Sequence, residues 1–326
     1  MTDVNRRSFL ITSAISCASL TFAADGFHRR RPNLVLIMAD DLGYGDLSCY
    51  GAPDIQTPSI DSLAREGVRL TDYYASAPVC TPTRCALMTG RYQQRVPNLE
   101  WAIYPGVKTV GLPRSEMTIA AMLKKVGYRT GIFGKWHLGY REQNHPLRHG
   151  FDEFFGILSG NVDHFRHKES NQEHDLYLNQ EEFHTEGYLT DLITDRAVDF
   201  IRRNRDSHFF LYVPYNAPHF PIQSPDDEDV EISRENWNRG GDRADYAGMV
   251  EAIDAGVGRI LKALKETDLD EDTLIIFCSD NGGERLGRND PLSGGKGSLK
   301  EGESGCPVSC AGYECCPRGR NHDRLP

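Results

Sequence analysis

The sequence has no excess of positive charge, no internal repeat and no disulfide framework. Its 326 residues carry 37 Lys and Arg against 47 Asp and Glu, a formal net charge of -10. A general nucleic-acid binder presents a basic face, so this balance argues against nucleic acid as a partner. Beyond residue 24 no segment is apolar for the roughly 20 residues that a membrane span needs. The nine cysteines are not spaced as paired staples. Cys17 stands near the N-terminus, Cys49, Cys80, Cys85 and Cys278 are scattered, and Cys306, Cys310, Cys315 and Cys316 crowd the end. What remains, 39% hydrophobic and 10% aromatic residues, suits a globular chain of one large domain or two smaller ones.

At the N-terminus, Arg6-Arg7-Ser8-Phe9-Leu10 precedes a short apolar stretch, residues 11–24, that ends in small residues. This predicts an export signal of the twin-arginine type over residues 1–24, cleaved near Ala23 or Ala24, and a periplasmic or secreted destination. Lipidation at Cys17 is the alternative, although Ala14-Ile15-Ser16 is a poor lead-in for it.

Three continuous apolar runs read as buried parallel strands: residues 34–39, 209–213 and 273–278. Helical periodicity falls between them, at Leu189, Leu192, Ile193, Ala197, Phe200 and Ile201, and at Val250, Ile253, Val257, Ile260, Leu261 and Leu264. Shorter helices are predicted at 58–66 and 117–126, and the charged stretch 221–245 reads as a surface loop. The alternation predicts an α/β fold with a mainly parallel sheet flanked by helices. Each strand runs into polar residues: Asp40-Asp41, Asn216-Ala217-Pro218-His219, and Ser279-Asp280-Asn281-Gly282. Ligands of open α/β sheets bind beyond the carboxyl ends of the strands, so these groups are expected on one edge.

Asp40, Asp41, Asp280 and Asn281 offer only oxygen donors, which suit Ca²⁺ or Mg²⁺; turn chemistry at strand ends is the plainer reading. Pro82 suits a first helical turn and Thr81 an N-cap, placing Cys80 just before a helix whose free N–H groups favour an anion. An ordinary capped helix with an incidental cysteine fits the same residues. Lys135 and His137, two apart after a short strand at 130–133, point to one side if the backbone is extended. His219 sits between Pro218 and Pro221, and Lys296 lies in a Gly-rich loop.

Cys80-Thr81-Pro82-Thr83-Arg84, continued by Cys85-Ala86-Leu87-Met88-Thr89-Gly90-Arg91, resembles the signature of the sulfatase family. Gly134-Lys135-Trp136-His137-Leu138-Gly139 and Gly150-Phe151-Asp152-Glu153-Phe154-Phe155-Gly156 are similar to further family motifs, and the resemblance covers residues 32–302. It implies an alkaline-phosphatase-like core and a sulfuric ester hydrolase. It implies that a maturation enzyme oxidises Cys80 to formylglycine, whose hydrate attacks sulfur with help from Arg84. Asp40, Asp41, Asp280 and Asn281 would hold one divalent ion, usually Ca²⁺. Lys135 and Lys296 would contact the sulfate, His219 would protonate the leaving alcohol, and His137 would take a proton to release the product. Ser159, Asn161, Asp163, His164 and His167 occupy the region that shapes the pocket in the family. A sulfated carbohydrate or another sulfate ester is the expected substrate.

Residues 32–303 are thus the expected catalytic domain. Residues 304–326 show no apolar strand or helix pattern and depart from the family, whose members continue with a Gly-Ile-Arg-Val-Pro-type strand and a second, smaller domain. Codons for 303–312 read one base out of register permit Ile-Arg-Val-Pro followed, after a free position, by Val-Met-Arg-Trp. A frameshift and a missing C-terminal subdomain are therefore expected, against a genuine cysteine-rich tail. Two further readings compete with an active sulfatase. One is a phosphatase or phosphodiesterase of the wider superfamily, disfavoured by Cys80 and the all-oxygen set. The other is an inactive remnant that binds sulfated glycans. Resequencing codons 295–330 checks the frame: an open shifted frame encoding the family strand is expected, and an unshifted frame would refute the frameshift.

Overall fold

The computed structural model describes residues 31–311 apart from 228 and 299. The predicted export signal, Cys315 and Cys316 lie outside the described residues. In chain order the elements are β1 (Asn33–Ala39), α1 (Pro58–Glu66), β2 (Val68–Leu70), α2 (Cys80–Thr89), α3 (Ile119–Lys125), β3 (Arg129–Lys135), β4 (Glu153–Ile157), β5 (Tyr177–Leu178), β6 (Glu181–Glu182), α4 (Leu189–Arg203), β7 (Phe209–Pro214), α5 (Arg243–Glu266), β8 (Thr273–Ser279), α6 (Glu301–Ser304) and β9 (Val308–Ala311). The three apolar runs and the two long helical patterns all take the form read from the sequence.

The strands make one sheet in the order β2-β9-β8-β1-β7-β3-β4-β5-β6. The five central strands β8, β1, β7, β3 and β4 are parallel, and antiparallel strands flank them. Both faces of the sheet are covered. Val35 and Ile37 of β1 pack with α1, α4 and α5 in one core, while Leu36 and Met38 pack with α2 and α3 in another. A strand buried on both faces needs apolar residues at every position, which is why these strands read as unbroken runs.

Three readings are corrected. The tail does contain a strand: β9 lies between β8 and β2, antiparallel to both, with Ile276 opposite Cys310 and Leu70 opposite Val308. Its four residues are too few to show a period, and its identity comes from the two neighbours that supply hydrogen-bond partners. The loop read at 221–245 ends earlier, because Asp242 caps α5: its carboxylate accepts from Ala244 and Asp245 N–H while the Asp245 carboxylate accepts from Asp242 N–H. Thr81 is not an N-cap. The cap residue of α2 is Val79, and Cys80 is the first residue inside the helix. Thr81 Oγ1 is instead drawn into tertiary bonds, donating to the His137 carbonyl and accepting from Ile103 N–H.

At the centre of the sheet, Gly134 of β3 has φ of 132°, and a Cβ there would lie 1.9 Å from the Pro214 carbonyl oxygen of β7. Gly134→Ala combines a conformational penalty with a backbone clash, so we expect a loss of about 2–4 kcal/mol. Urea unfolding measures it; an unchanged midpoint would contradict this strand packing.

Candidate active site

The order of the central strands assembles the site. β8, β1, β7 and β3 are consecutive neighbours, so the segments that follow β8, β1 and β7 leave one edge side by side with the end of β3. Backbone bonds tie these ends: Asp40 N–H donates to the Ala217 carbonyl and Asp280 N–H to that of Ala39. Asp40, Asp41, Asp280, Asn281, His219 and Lys135 thereby converge, and all are buried.

Helix α2 brings its first turn to the same place. Cys80 Sγ lies 3.5 Å from Asp40 Oδ1 and 4.0 Å from Asp41 Oδ1. Arg84 is four residues on, hence on the same helix face. Its Nε and Nη2 donate to Asp280 Oδ2 at 3.0 and 2.8 Å, its Nη1 donates to the Lys135 carbonyl, and Nη2 stands 3.4 Å from Asp40 Oδ1. Lys135 Nζ donates to Asp40 Oδ2 at 2.5 Å, and Lys296 Nζ donates to Asp41 Oδ2 at 2.6 Å and lies 3.2 Å from His219 Nε2. Five of the six predicted catalytic residues and all four predicted metal ligands are therefore gathered in one cluster, and His137 adjoins it through its carbonyl, which accepts from Thr81 Oγ1 next to Cys80.

The geometry changes one detail of the reading. β3 runs on to Lys135, and His137 adopts a positive φ of 54°. Simple extended alternation does not place these two side chains; the turn after the strand does. His137 Nε2 is 2.8 Å from the Ile103 carbonyl, and its buried Nδ1 has no hydrogen-bond partner.

The electrostatics follow from the crowding of charges in a buried site. Burial, with Asp280 and Asp41 nearby, pushes Asp40 up to about 8 although Lys135 and Arg84 oppose the shift. Asp41 goes the other way: against the cost of burial, Lys296, His219 and Lys135 hold its carboxyl below the ordinary range. Burial and the neighbouring Lys296 ammonium push His219 down to about 3, leaving the imidazole neutral. Its Nδ1 is 2.7 Å from the Phe220 carbonyl, so Nδ1 carries the proton and Nε2 faces Lys296. Burial pushes the Cys80 thiol up.

The residues fit a divalent cation. Three buried carboxylates meet here, and Asn281 Oδ1 is a buried oxygen with no hydrogen-bond partner. Its amide nitrogen donates to Asp41 Oδ1 at 2.7 Å. Donor atoms of Asp40, Asp41, Cys80 and His219 lie within 4.8 Å of one another. Asp280 is more committed, with Oδ1 accepting from Asp41 N–H and Oδ2 from Arg84.

Of the five pocket candidates, two adjoin His219. Asn161 Nδ2 donates to the Phe220 carbonyl at 2.7 Å, and His164 Nε2 lies 3.5 Å from that of His219. The other three organise loops. Asp163 accepts from Phe165, Arg166 and Lys168 N–H, His167 Nε2 pairs with the Gly187 carbonyl, and Ser159 Oγ donates to the Asn161 carbonyl.

Other contributors went unread in the sequence. Ile103 acts through its backbone, and nothing in its side chain signals that. Glu284 lies 3.8 Å from Lys296 and, with Asp41, His219 and Phe220, lines a cleft beside the cluster; burial and Asp41 raise it to about 7. Asp46 staples the two aspartate loops: Oδ2 accepts from Gly43 and Arg288 N–H and from Tyr246 Oη. Its place in Gly45-Asp46 after Asp40-Asp41 was the available signal. Among the described residues Cys49, Cys80, Cys85, Cys278 and Cys306 are free thiols.

The family model described as Sulfatase matches residues 32–307. The chain is 37% identical over 283 residues to arylsulfatase J of Mus musculus, covering 83% of this chain and 46% of that protein. It is 35% identical over 296 residues to N-acetylgalactosamine-6-sulfatase of Homo sapiens, covering 83% of this chain and 55% of that one. The chain thus spans about half the length of these curated relatives. The crystal structure of Ps i-CgsB in complex with k-i-k-neocarrahexaose superposes with a TM-score of 0.82 at 35% identity, covering 91% of this chain and 69% of that one.

Adding CaCl₂ or MgCl₂ to the purified chain is expected to raise its thermal unfolding midpoint, with about 2.7 kcal/mol gained at a hundredfold excess over Kd. Asn281→Ala and Asp41→Asn should lessen the rise. A wild-type midpoint indifferent to both ions would overturn the cation site.

Proposed function

Because this chain belongs to the sulfatase family, we propose that it hydrolyses sulfate esters of carbohydrates at Cys80, with a divalent cation held by Asp40, Asp41, Asp280 and Asn281. The observation that supports this most is the placing of Cys80 in the first turn of α2, opposite three buried carboxylates and beside two lysines. A plain cysteine is a poor nucleophile here, since carboxylate oxygens at 3.5 and 4.0 Å from sulfur oppose a thiolate. Oxidised to formylglycine by a maturation enzyme, Cys80 would supply an aldehyde hydrate as nucleophile, and the cation, Ca²⁺ or alternatively Mg²⁺, would polarise sulfate oxygens.

The other residues divide the remaining work. A bound dication would hold Asp40 ionised beside Asp41 and Asp280, and with Arg84, Lys135 and Lys296 it would leave the site net positive for an anionic ester. These fixed cations stabilise charge developing on sulfate oxygens without reorganising. The leaving oxygen takes its proton at the His219–Lys296 pair, where Nε2 and Nζ are 3.2 Å apart. His137 Nδ1, buried and unpartnered, is the base for product release. The twin-arginine signal read in residues 1–24 agrees with action outside the cytoplasm on an extracellular polysaccharide. Among the described residues no helix is long and apolar enough to cross a membrane.

The test is expression with a formylglycine-generating enzyme. The Cys80 peptide should lose the mass that separates thiol from aldehyde, and sulfate should be released from sulfated oligosaccharides. Cys80→Ala should cut turnover by on the order of 10³-fold or more. An unmodified Cys80 in that host, full activity in Cys80→Ala, or a preference for phosphate esters would each sink the proposal.

A further inference from the structure

Resting on the sulfatase reading, we propose that Trp101 and Tyr104 form a sugar-binding platform beside the Cys80 site, on which an uncharged pyranose face of a sulfated oligosaccharide stacks while its sulfate reaches the buried cations. Trp101 is 52% and Tyr104 60% exposed, whereas Trp136 and Trp237 are buried at 1% and 6%. The two exposed rings are not independent. Trp101 Nε1 donates to Tyr104 Oη at 2.8 Å, which fixes the indole against the phenol and satisfies its only polar group. An indole whose N–H is already bonded offers a partner its ring face.

The segment that carries them is bound into the site. Ile103 N–H donates to Thr81 Oγ1 at 3.1 Å, and the Ile103 carbonyl lies 2.8 Å from His137 Nε2. Thr81 adjoins Cys80, and Ile103 itself is buried. Two residues of extended chain span at most about 7 Å, so Trp101 cannot swing away from the site without breaking those bonds. The chemistry of the platform complements that of the cluster. The cations recognise sulfate but cannot distinguish an ester from the free ion. An aromatic face, electron-rich over the ring, attracts the C–H groups of a sugar and leaves hydroxyls and further sulfates in water. Scattered surface aromatics are ordinary; a hydrogen-bonded pair flanking a residue bound to both Thr81 and His137 is not scattered.

Two measurements on the full chain decide the matter, the first on the matured protein. In Trp101→Ala and Tyr104→Ala, KM for a sulfated oligosaccharide should rise about five- to tenfold more than KM for a small aryl sulfate. Equal effects on the two substrates, or none on either, overturn the platform. Because Trp136 and Trp237 are buried, acrylamide quenching reads Trp101. In the Cys80→Ala protein a sulfated oligosaccharide should protect that fluorescence and inorganic sulfate should not. Quenching unchanged at saturating oligosaccharide overturns the proposal. Absence of sulfate release from both substrates would defeat the sulfatase reading instead, and the fluorescence result, which needs no turnover, would still judge the platform.

Discussion

The site depends on the buried Arg84–Asp280 pair. Asp40, Asp41 and Asp280 all lie buried at the carboxyl ends of the central strands, an arrangement that repulsion and desolvation would disperse. Arg84 opposes this directly by donating twice to Asp280, and it pins the end of β3 through the Lys135 carbonyl. The Lys135 ammonium, presented by that strand end, then compensates Asp40. The proposed catalytic roles and the structural ones therefore fall on the same residues. Removing one charge leaves its partner buried and unmatched, which typically costs about 3–5 kcal/mol.

What the sequence disclosed and what it hid have physical causes. β1, β7 and β8 were legible because a sheet covered on both faces demands uninterrupted apolar residues, and α1, α4 and α5 because one-sided burial imposes their period. The ten candidate site residues were singled out by motif resemblance, with Asp40-Asp41 and Asp280-Asn281 also marked by their place after apolar runs. Side chains whose roles depend on distant partners were misread or missed. The hydroxyl of Thr81 can cap a helix or bridge Ile103 and His137, and only the tertiary fold chooses between them. Asp46 and Glu284 look like ordinary loop acids until Tyr246, Arg288 and Lys296 are brought alongside.

The edge of the sheet shows the same dependence on context. Val308-Ser309-Cys310-Ala311 has little strand character alone, yet β8 and β2 present open hydrogen-bonding edges that it bridges. Backbone groups do not read side chains, so a slot between two strands accepts a segment that merely fits sterically. Gly67 supplies part of that fit: a Cβ there would fall 1.9 Å from the Cys310 carbonyl oxygen.

The bond from Asp41 N–H to Asp280 Oδ1 joins residues 239 apart in the chain, and so bears on how the molecule comes into being. A centre built from the ends of the first and last parallel strands has very high contact order, and its loop-closure entropy is met before any of its charges find partners. The acidic cluster therefore cannot nucleate folding. It is completed only after the sheet has closed around it, which makes the intact buried cluster a late checkpoint that the whole core has been reached.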